Sequence, residues 1–277
     1  MRQLAVTVII AAYNEEKNIR SCLASLFKQD YKPQEIIVVN DGSTDKTEEY
    51  LKNPSVQYYT ISHRGTAVAR NFAAQRAQGD ILVFLDADME FEPNFISQLV
   101  RPINEGKAQG TFSKLEYVKN WDQPLARCWN RITSDLPDKL RISQRRKEGD
   151  DFRAILKSEF LRVGGFDNIG YTDTWTLAHK LQYKPVYAPN AIYYHNNPET
   201  FSEVFWSAAW IGKRKYKFGI LGILLASIRS FFIVSLVKGI IKFMRYHEPL
   251  FIPFYLVYDL GVTKGILYSF FFKDVKK

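Results

Sequence analysis

Residues 81–88 read Ile81-Leu82-Val83-Phe84-Leu85-Asp86-Ala87-Asp88, five large apolar side chains that stop at two carboxylates one residue apart. A run that is apolar at every position belongs in a strand covered on both faces, inside a sheet with helices packed on either side. Asp86 and Asp88 then mark the strand's carboxyl end, the edge at which open α/β sheets bind ligands. Neighbouring carboxylates repel one another unless a cation lies between them or one takes up a proton. A hard divalent ion, Mg²⁺ or Mn²⁺, suits such oxygen donors and commonly bridges to phosphate. A turn in which each Asp caps a backbone amide is the plainer alternative for an isolated Asp-x-Asp.

The surrounding sequence repeats the pattern. Val6-Thr7-Val8-Ile9-Ile10-Ala11-Ala12 runs into the polar turn Tyr13-Asn14-Glu15-Glu16 and then a helical pattern ending at Phe27. Glu35-Ile36-Ile37-Val38-Val39 ends in Asn40-Asp41-Gly42-Ser43-Thr44-Asp45, with helix-compatible residues to Leu51. Residues 56–61 read as a further strand and 65–77 as the helix before the Asp86 strand. Alternating strand and helix predicts an α/β fold with a mostly parallel, doubly wound sheet and helices on both faces. Tyr13, Glu15, Asp41, Asp86 and Asp88 then share one edge.

The segment from Val8 to Glu15, the turn Asn40-Asp41-Gly42-Ser43, the stretch Ala69-Arg70-Asn71 and the triplet Asp86-Ala87-Asp88 resemble, in that order, the donor half of glycosyltransferase family 2. Val163-Gly164-Gly165-Phe166-Asp167 followed by Asp173 is similar to the family's acceptor region, so the likeness covers roughly residues 5–197. It implies a Rossmann-like GT-A fold and transfer of a sugar from a nucleotide diphosphate with inversion at the anomeric carbon. By the resemblance, Asp88 is the metal ligand, Asp86 lies nearer the ribose or diphosphate with Ala11 and Ala87 beside it, and Asp41 bonds the base or ribose. Tyr13 and Glu15 line the same pocket. Arg70 suits a phosphate or a pocket carboxylate, because a guanidinium matches both.

Inversion requires a base on the sugar face opposite the diphosphate. Asp173, at the start of a helical pattern ending at Leu181, is the candidate, and an N-cap is its structural alternative. Gly165, Phe166, Thr172 and Trp175 mark the acceptor region; Thr172 stands where the family usually has Glu. His195, after Tyr193-Tyr194, occupies a place where related transferases supply an imidazole to the metal or diphosphate; a packed core histidine is the alternative. Trp121 and Trp175 suit a sugar-stacking wall or a core. The basic stretch at residues 139–147 reads as a loop between the halves, closing over diphosphate, receiving a lipid phosphate or simply solvated.

Charge separates the chain in two. Of the formal net charge of +9, residues 201–277 carry 12 Lys/Arg against 4 Asp/Glu and hold 18 of the 41 aromatic residues. Basic, aromatic and aliphatic character rising together points to a membrane surface and excludes a solvated nucleic-acid groove. Arg229 and Lys238 interrupt the first apolar run, and Pro253, Asp259 and Lys264 the second, so neither is a clean span of about 20 residues. Lys213, Arg214, Lys215 and Lys217 form a polybasic cluster, and Lys238, Lys242 and Arg245 share a helix face suited to anionic headgroups. A break near Arg229, on the opposite face, is expected. Peripheral or monotopic attachment to the cytoplasmic membrane face follows.

The expected organisation is a catalytic domain over residues 1–200, its donor half about 1–115 and acceptor half about 116–200, followed by a membrane-association region over 201–277. The apolar amino terminus imitates a signal peptide, but its β-branched residues favour the first strand. Cys22 and Cys128 lack metal-site spacing and read as buried thiols of a reducing compartment. The partners implied are a nucleotide-diphosphate sugar and a saccharide or polyprenyl-phosphate-type acceptor, as in polysaccharide or glycolipid biosynthesis. A catalytically silent nucleotide-sugar binder and a sugar-nucleotide pyrophosphorylase are the rivals, the second disfavoured by an acidic rather than Gly-rich first turn. Sugar, base and oligomeric state are not readable.

Overall fold

The computed structural model describes residues 3–133, 151–169, 173–214, 216 and 218–271, and for residues 133 and 173–175 the main chain alone. The basic stretch at 139–147, Thr172, Lys215 and Lys217 lie outside the described residues. The chain opens with β1 (Val6–Ala12), α1 (Ile19–Phe27), β2 (Glu35–Asn40), α2 (Thr47–Leu51), β3 (Gln57–Thr60), α3 (Thr66–Arg76) and β4 (Ile81–Asp86). It continues through β5 (Met89–Phe91), α4 (Phe95–Asn104), β6 (Gly110–Phe112), β7 (Leu115–Val118) and α5 (Pro124–Thr133). Next come β8 (Ala154–Leu156), α6 (Lys157–Arg162), α7 (Asp173–Leu181), β9 (Val186–Tyr187) and β10 (Ile192–His195).

The main sheet has seven strands in the order β3-β2-β1-β4-β8-β6-β9. Its first four strands are mutually parallel; β1, β2 and β4 carry the apolar runs of buried strands, and β3 is a mostly exposed edge. Alternate residues of each strand feed opposite layers. Val8, Ile10, Val38, Val83 and Leu85 join α1 and α4 in one core, whereas Ile9, Ile37, Val39, Leu82 and Phe84 join α3, α6 and α7 in the other. Beyond β4 the sheet stays mostly parallel, as expected, with β8 alone running against the rest. The short β8 runs antiparallel to both β4 and β6, and β9 is parallel to β6. The sheet is therefore mixed.

Two features of this topology place the site. Chain order reverses direction across the sheet at β1 and β4, the crevice where such sheets bind ligands. The register sets Ala11 opposite Asp86 and Ala12 opposite Asn40, so Tyr13, Asp41 and Asp86 stand along one edge. A second sheet, β5-β10-β7, begins directly after Asp88. Its antiparallel β10–β5 pairing puts His195 opposite Met89.

The carboxy-terminal helices are α8 (Phe201–Gly212), α9 (Gly219–Arg229), α10 (Phe232–Tyr246) and α11 (Phe251–Phe271). A capping box between Thr200 and Glu203 starts α8. Leu125, Cys128 and Trp129 of α5 share a core with Val204, Phe251, Phe254 and Tyr255, which joins these helices to the α/β domain. α11 crosses α8 closely: a Cβ on Gly265 would stand 2.1 Å from the Ala209 carbonyl oxygen. Pro253, Asp259 and Lys264 interrupt the apolar character of this stretch, as expected, without breaking α11. Pro253 falls in the first turn of α11, where no intrahelical N–H is required, and Asp259 is met by Ser235 Oγ at 2.6 Å and by Lys238. The expected break after Arg229 is present, with α9 and α10 bent by 63°. Among the described residues no single helix is long and apolar enough to cross a membrane.

The helix-wheel expectation for the basic residues is corrected here. Lys238 Nζ meets Asp259 and donates to the Arg229 carbonyl at 2.9 Å, and Lys242 Nζ donates to the Arg131 carbonyl at 2.8 Å. Both turn toward the domain rather than toward headgroups, because a buried carboxylate and an open helix end outcompete solvent for them. Arg245 remains exposed, Lys213 rests over Tyr268 at 4.4 Å and Arg214 over Tyr216 at 5.3 Å.

Candidate active site

At the end of β4, Asp86 is held by two guanidinium groups. Arg70 of α3 lies 2.5 Å from Oδ1, and Arg153, just before β8, lies 3.0 Å from Oδ2. Arg70 is only 4% exposed and packs on Phe166 at 5.8 Å, so it is the pocket-carboxylate partner rather than a group open to the donor. Burial alone would raise the Asp86 pKa, but Arg70 and Arg153 outweigh both burial and the repulsion from Asp88 and hold it below the ordinary carboxylate range. Asp86 is thus a fixed anion at neutral pH. Arg153 also reaches Asp151 at 3.1 Å and lies 5.5 Å from the Tyr193 ring centre.

A folded-state pKa below the unfolded value of about 3.9 contributes stability above that pH and loses it as acid drives the pH through the folded value. Arg153→Met is therefore expected to destabilise the fold by about 1–3 kcal/mol at neutral pH. It should also move the acid-unfolding midpoint, followed by circular dichroism, to higher pH.

Asp88 points to the second sheet, where its Oδ2 lies 3.0 Å from His195 Nε2. The other ring nitrogen of His195 is buried and has no hydrogen-bond partner among the described residues. Among those residues, no three His, Cys, Asp or Glu side chains gather into a complete metal cage. One carboxylate and one imidazole nevertheless suit a divalent ion that takes its remaining ligands from a diphosphate, the usual habit of Mg²⁺ at nucleotide sites. Beneath them Cys22 Sγ lies 3.7 Å from the Asp86 carbonyl oxygen. Burial first, then the charges of Asp88, Asp86, Glu15 and Glu90, push this thiol far above its ordinary pKa. The same four carboxylates therefore converge on one region. Ala87, between the two aspartates, is buried in the sheet core, so its side chain turns away from this edge.

On the other side of β1, Asp41 is 3% exposed. Its carboxylate accepts from the backbone N–H groups of Arg64 and Gly65, each at 2.8 Å, and lies 2.9 Å from His63 Nδ1. It orders the turn into α3 and orients His63, whose ring stacks on half-buried Tyr13 at 4.1 Å. Glu15 sits at the start of α1, where its backbone N–H donates to Thr47 Oγ1 at 2.7 Å and its carboxylate accepts from Asn18 Nδ2 at 3.0 Å.

The Gly164-Gly165-Phe166 segment is fastened to α3. Asn71 Nδ2 donates to the Phe166 carbonyl at 2.8 Å, and its Oδ1 accepts from the Phe166 N–H at 3.0 Å. Gly165 permits this with φ +72°, and a Cβ there would meet Asn71 Oδ1 at 2.4 Å. Gly165→Ala is expected to cost about 1–3 kcal/mol in a urea titration, by strain and by displacing Asn71. Phe166 in turn underlies Arg70, linking this segment to the Asp86 clamp. Asp173 is the first residue of α7, and Trp175 lies in its first turn.

Sequence reasoning missed Arg153 and His63. Neither stands in a run of its own; each becomes a site residue only when β8 enters beside β4, or when the turn before α3 folds over Asp41.

The family model for glycosyl transferase family 2 matches residues 7–160, more than half of the chain. The chain belongs to this family. Among curated relatives, it is 26% identical to the probable glycosyltransferase YdaM of Bacillus subtilis over 95% of this chain and 69% of that protein. Glycosyltransferase GlyA of Streptococcus pneumoniae is 37% identical over 37% of this chain and 16% of its own length. The matched stretch covers 31% of B. subtilis EpsH, so the chain spans well under half of the length of these last two relatives. Among solved structures, the Pyrobaculum calidifontis mannosyltransferase PcManGT in complex with GDP-Man and Mn²⁺ superposes with a TM-score of 0.59 at 18% identity, over 97% of this chain and 88% of that one. S. aureus TarS in complex with UDP-GlcNAc gives 0.55 at 16% identity, over 96% and 92%. At such identities the likeness establishes the GT-A-type α/β fold.

Proposed function

We propose that this family 2 member transfers a sugar, with inversion, from a nucleotide-diphosphate donor to a hydroxyl or phosphate acceptor, and that the acceptor is lipid-linked. The observation that carries this reading is the meeting of Asp88 with His195 beside the clamped Asp86 at the carboxyl edge of β4. Donor-bearing fold relatives support it: PcManGT was solved with GDP-Man and Mn²⁺, and TarS with UDP-GlcNAc. Donor binding is assigned to the half around residues 1–115 and acceptor binding to about 116–200.

Asp88 and His195 would hold Mg²⁺ or Mn²⁺, which when bound neutralises charge developing on the departing nucleotide. The chain's own residues do the rest. Asp86, fixed by Arg70 and Arg153, presents an immobile acceptor of hydrogen bonds beside the diphosphate or ribose. Tyr13, stacked on His63, offers an aromatic face for the base, and Asp41 acts through the turn it orders. Asp173, at the amino end of α7, takes the proton from the attacking acceptor hydroxyl.

The basic tail and the exposed apolar surface of α9 and α10 support attachment at the cytoplasmic membrane face, where a polyprenyl-linked acceptor would be met. Incubation with UDP- and GDP-sugars and Mn²⁺ should release nucleotide diphosphate, faster when a polyprenyl-phosphate acceptor is added. Binding without any release would favour a silent nucleotide-sugar binder, and pyrophosphate formed from a nucleoside triphosphate and a sugar phosphate would favour a pyrophosphorylase.

A further inference from the structure

An amphipathic helix resting on a protein in water buries its apolar stripe and exposes its polar one. α10 does the reverse. Its polar side chains Ser235, Lys238 and Lys242 turn toward Asp259 and the Arg131 carbonyl, while Phe232, Ile233, Val237, Ile241 and Met244 face outward, Met244 being 69% exposed. α9 adds Ile220, 76% exposed, with Leu221, Leu224, Leu225 and Ile228. Arg229 at the break and Arg245 near the end of α10 are exposed cations flanking this surface.

Length and geometry decide how such a surface meets lipid. At 1.5 Å per residue α9 is about 16 Å long and α10 about 22 Å, short of the roughly 30 Å hydrocarbon core. The two are bent by 63°, and straightening them into a span would pull Lys238 from the Arg229 carbonyl, while Lys238 and Lys242 hold α10 itself on Asp259 and Arg131. This surface is mostly aliphatic, with exposed Phe231 and Phe232 at the bend and cations at its margin, the composition of an interfacial membrane helix.

We propose that the α9–α10 elbow is a one-leaflet membrane anchor. Its outward apolar faces lie among the acyl chains of a single leaflet, Arg229 and Arg245 reach anionic headgroups, and the inward polar contacts of α10 lock the anchor to the catalytic domain. The proposal rests on the membrane reading above and specifies the face and depth of attachment.

The test is flotation of the full chain with vesicles of phosphatidylcholine, with and without phosphatidylglycerol. Leu224→Glu combined with Ile241→Glu, both at exposed positions, should lower vesicle binding at least about tenfold, whereas Leu267→Glu on the outer face of α11 should change it by less than about twofold. Vesicle binding that survives the double substitution, or that Leu267→Glu abolishes instead, overturns the elbow but keeps membrane attachment. A wild-type chain that does not float overturns both. A wild-type dimer in light scattering that the double variant dissociates would make a second copy of the chain the occupant and overturn the anchor. For the one-leaflet geometry, Ile220→Cys, at the end of α9 that a straightened span would carry to the far side, should stay unlabelled by an impermeant thiol reagent sealed inside the vesicles; labelling from the lumen contradicts it.

Discussion

Asp173→Asn is expected to bind donor as the native chain does and to lose turnover by about 10²–10⁴-fold, the usual contribution of a positioned general base. Asp and Asn have nearly the same size, so the first turn of α7 keeps its packing, and Asn serves an amino terminus about as well as Asp. What disappears is the ability to accept a proton. The distinguishing pattern is a fall in kcat with donor affinity retained in a thermal shift. A variant with full activity would reduce Asp173 to a helix cap.

The second large effect concerns the opposite side of the reacting bond. Asp88→Asn is expected to abolish the part of donor binding that requires Mn²⁺ or Mg²⁺. A ligand at about 100 times its dissociation constant stabilises a folded protein by about 2.7 kcal/mol, enough to read as a shift in Tm. The native chain should show that shift with nucleotide diphosphate plus metal and a smaller one with nucleotide alone; the variant should show only the smaller. Loss of one anionic donor weakens a hard cation directly, while Asp86 stays held by Arg70 and Arg153. His195→Gln should weaken the same increment, because its Nε2 and Asp88 Oδ2 point at one place. Stability without ligand separates a site effect from unfolding: Asp88 and His195 lie at the edge of the sheets rather than in a core.

The buried middle of the parallel sheet was legible because β1, β2 and β4 are built on apolar runs that end on polar turns. Residues 6–12, 35–40 and 81–86 could hardly be placed anywhere but the middle of a sheet. The second sheet was not legible. β5 has three residues and β10 four, too short for a periodic signal, and β10 meets β5 across a hundred residues of chain. That pairing is nevertheless what carries His195 to Asp88, so the family pattern indicated a residue whose geometric reason lay elsewhere. Arg153 gave no signal at all, one cation among 38 until β8 sets it beside β4. In the tail a helical wheel groups Lys238 with Lys242 but does not say which way the group points. Asp259, which draws Lys238 inward, sits on another helix. Asp41 illustrates the same limit, its place on the edge readable and its engagement by the 63–65 turn a matter of tertiary structure.

Anomalous diffraction from a crystal soaked with Mn²⁺ and a nucleotide-diphosphate sugar addresses the core of the account most directly. It should place one manganese peak between Asp88 and His195, in contact with the diphosphate, with the base against Tyr13. A donor bound at that edge with no metal beside Asp88, or manganese found only elsewhere on the chain, would contradict it.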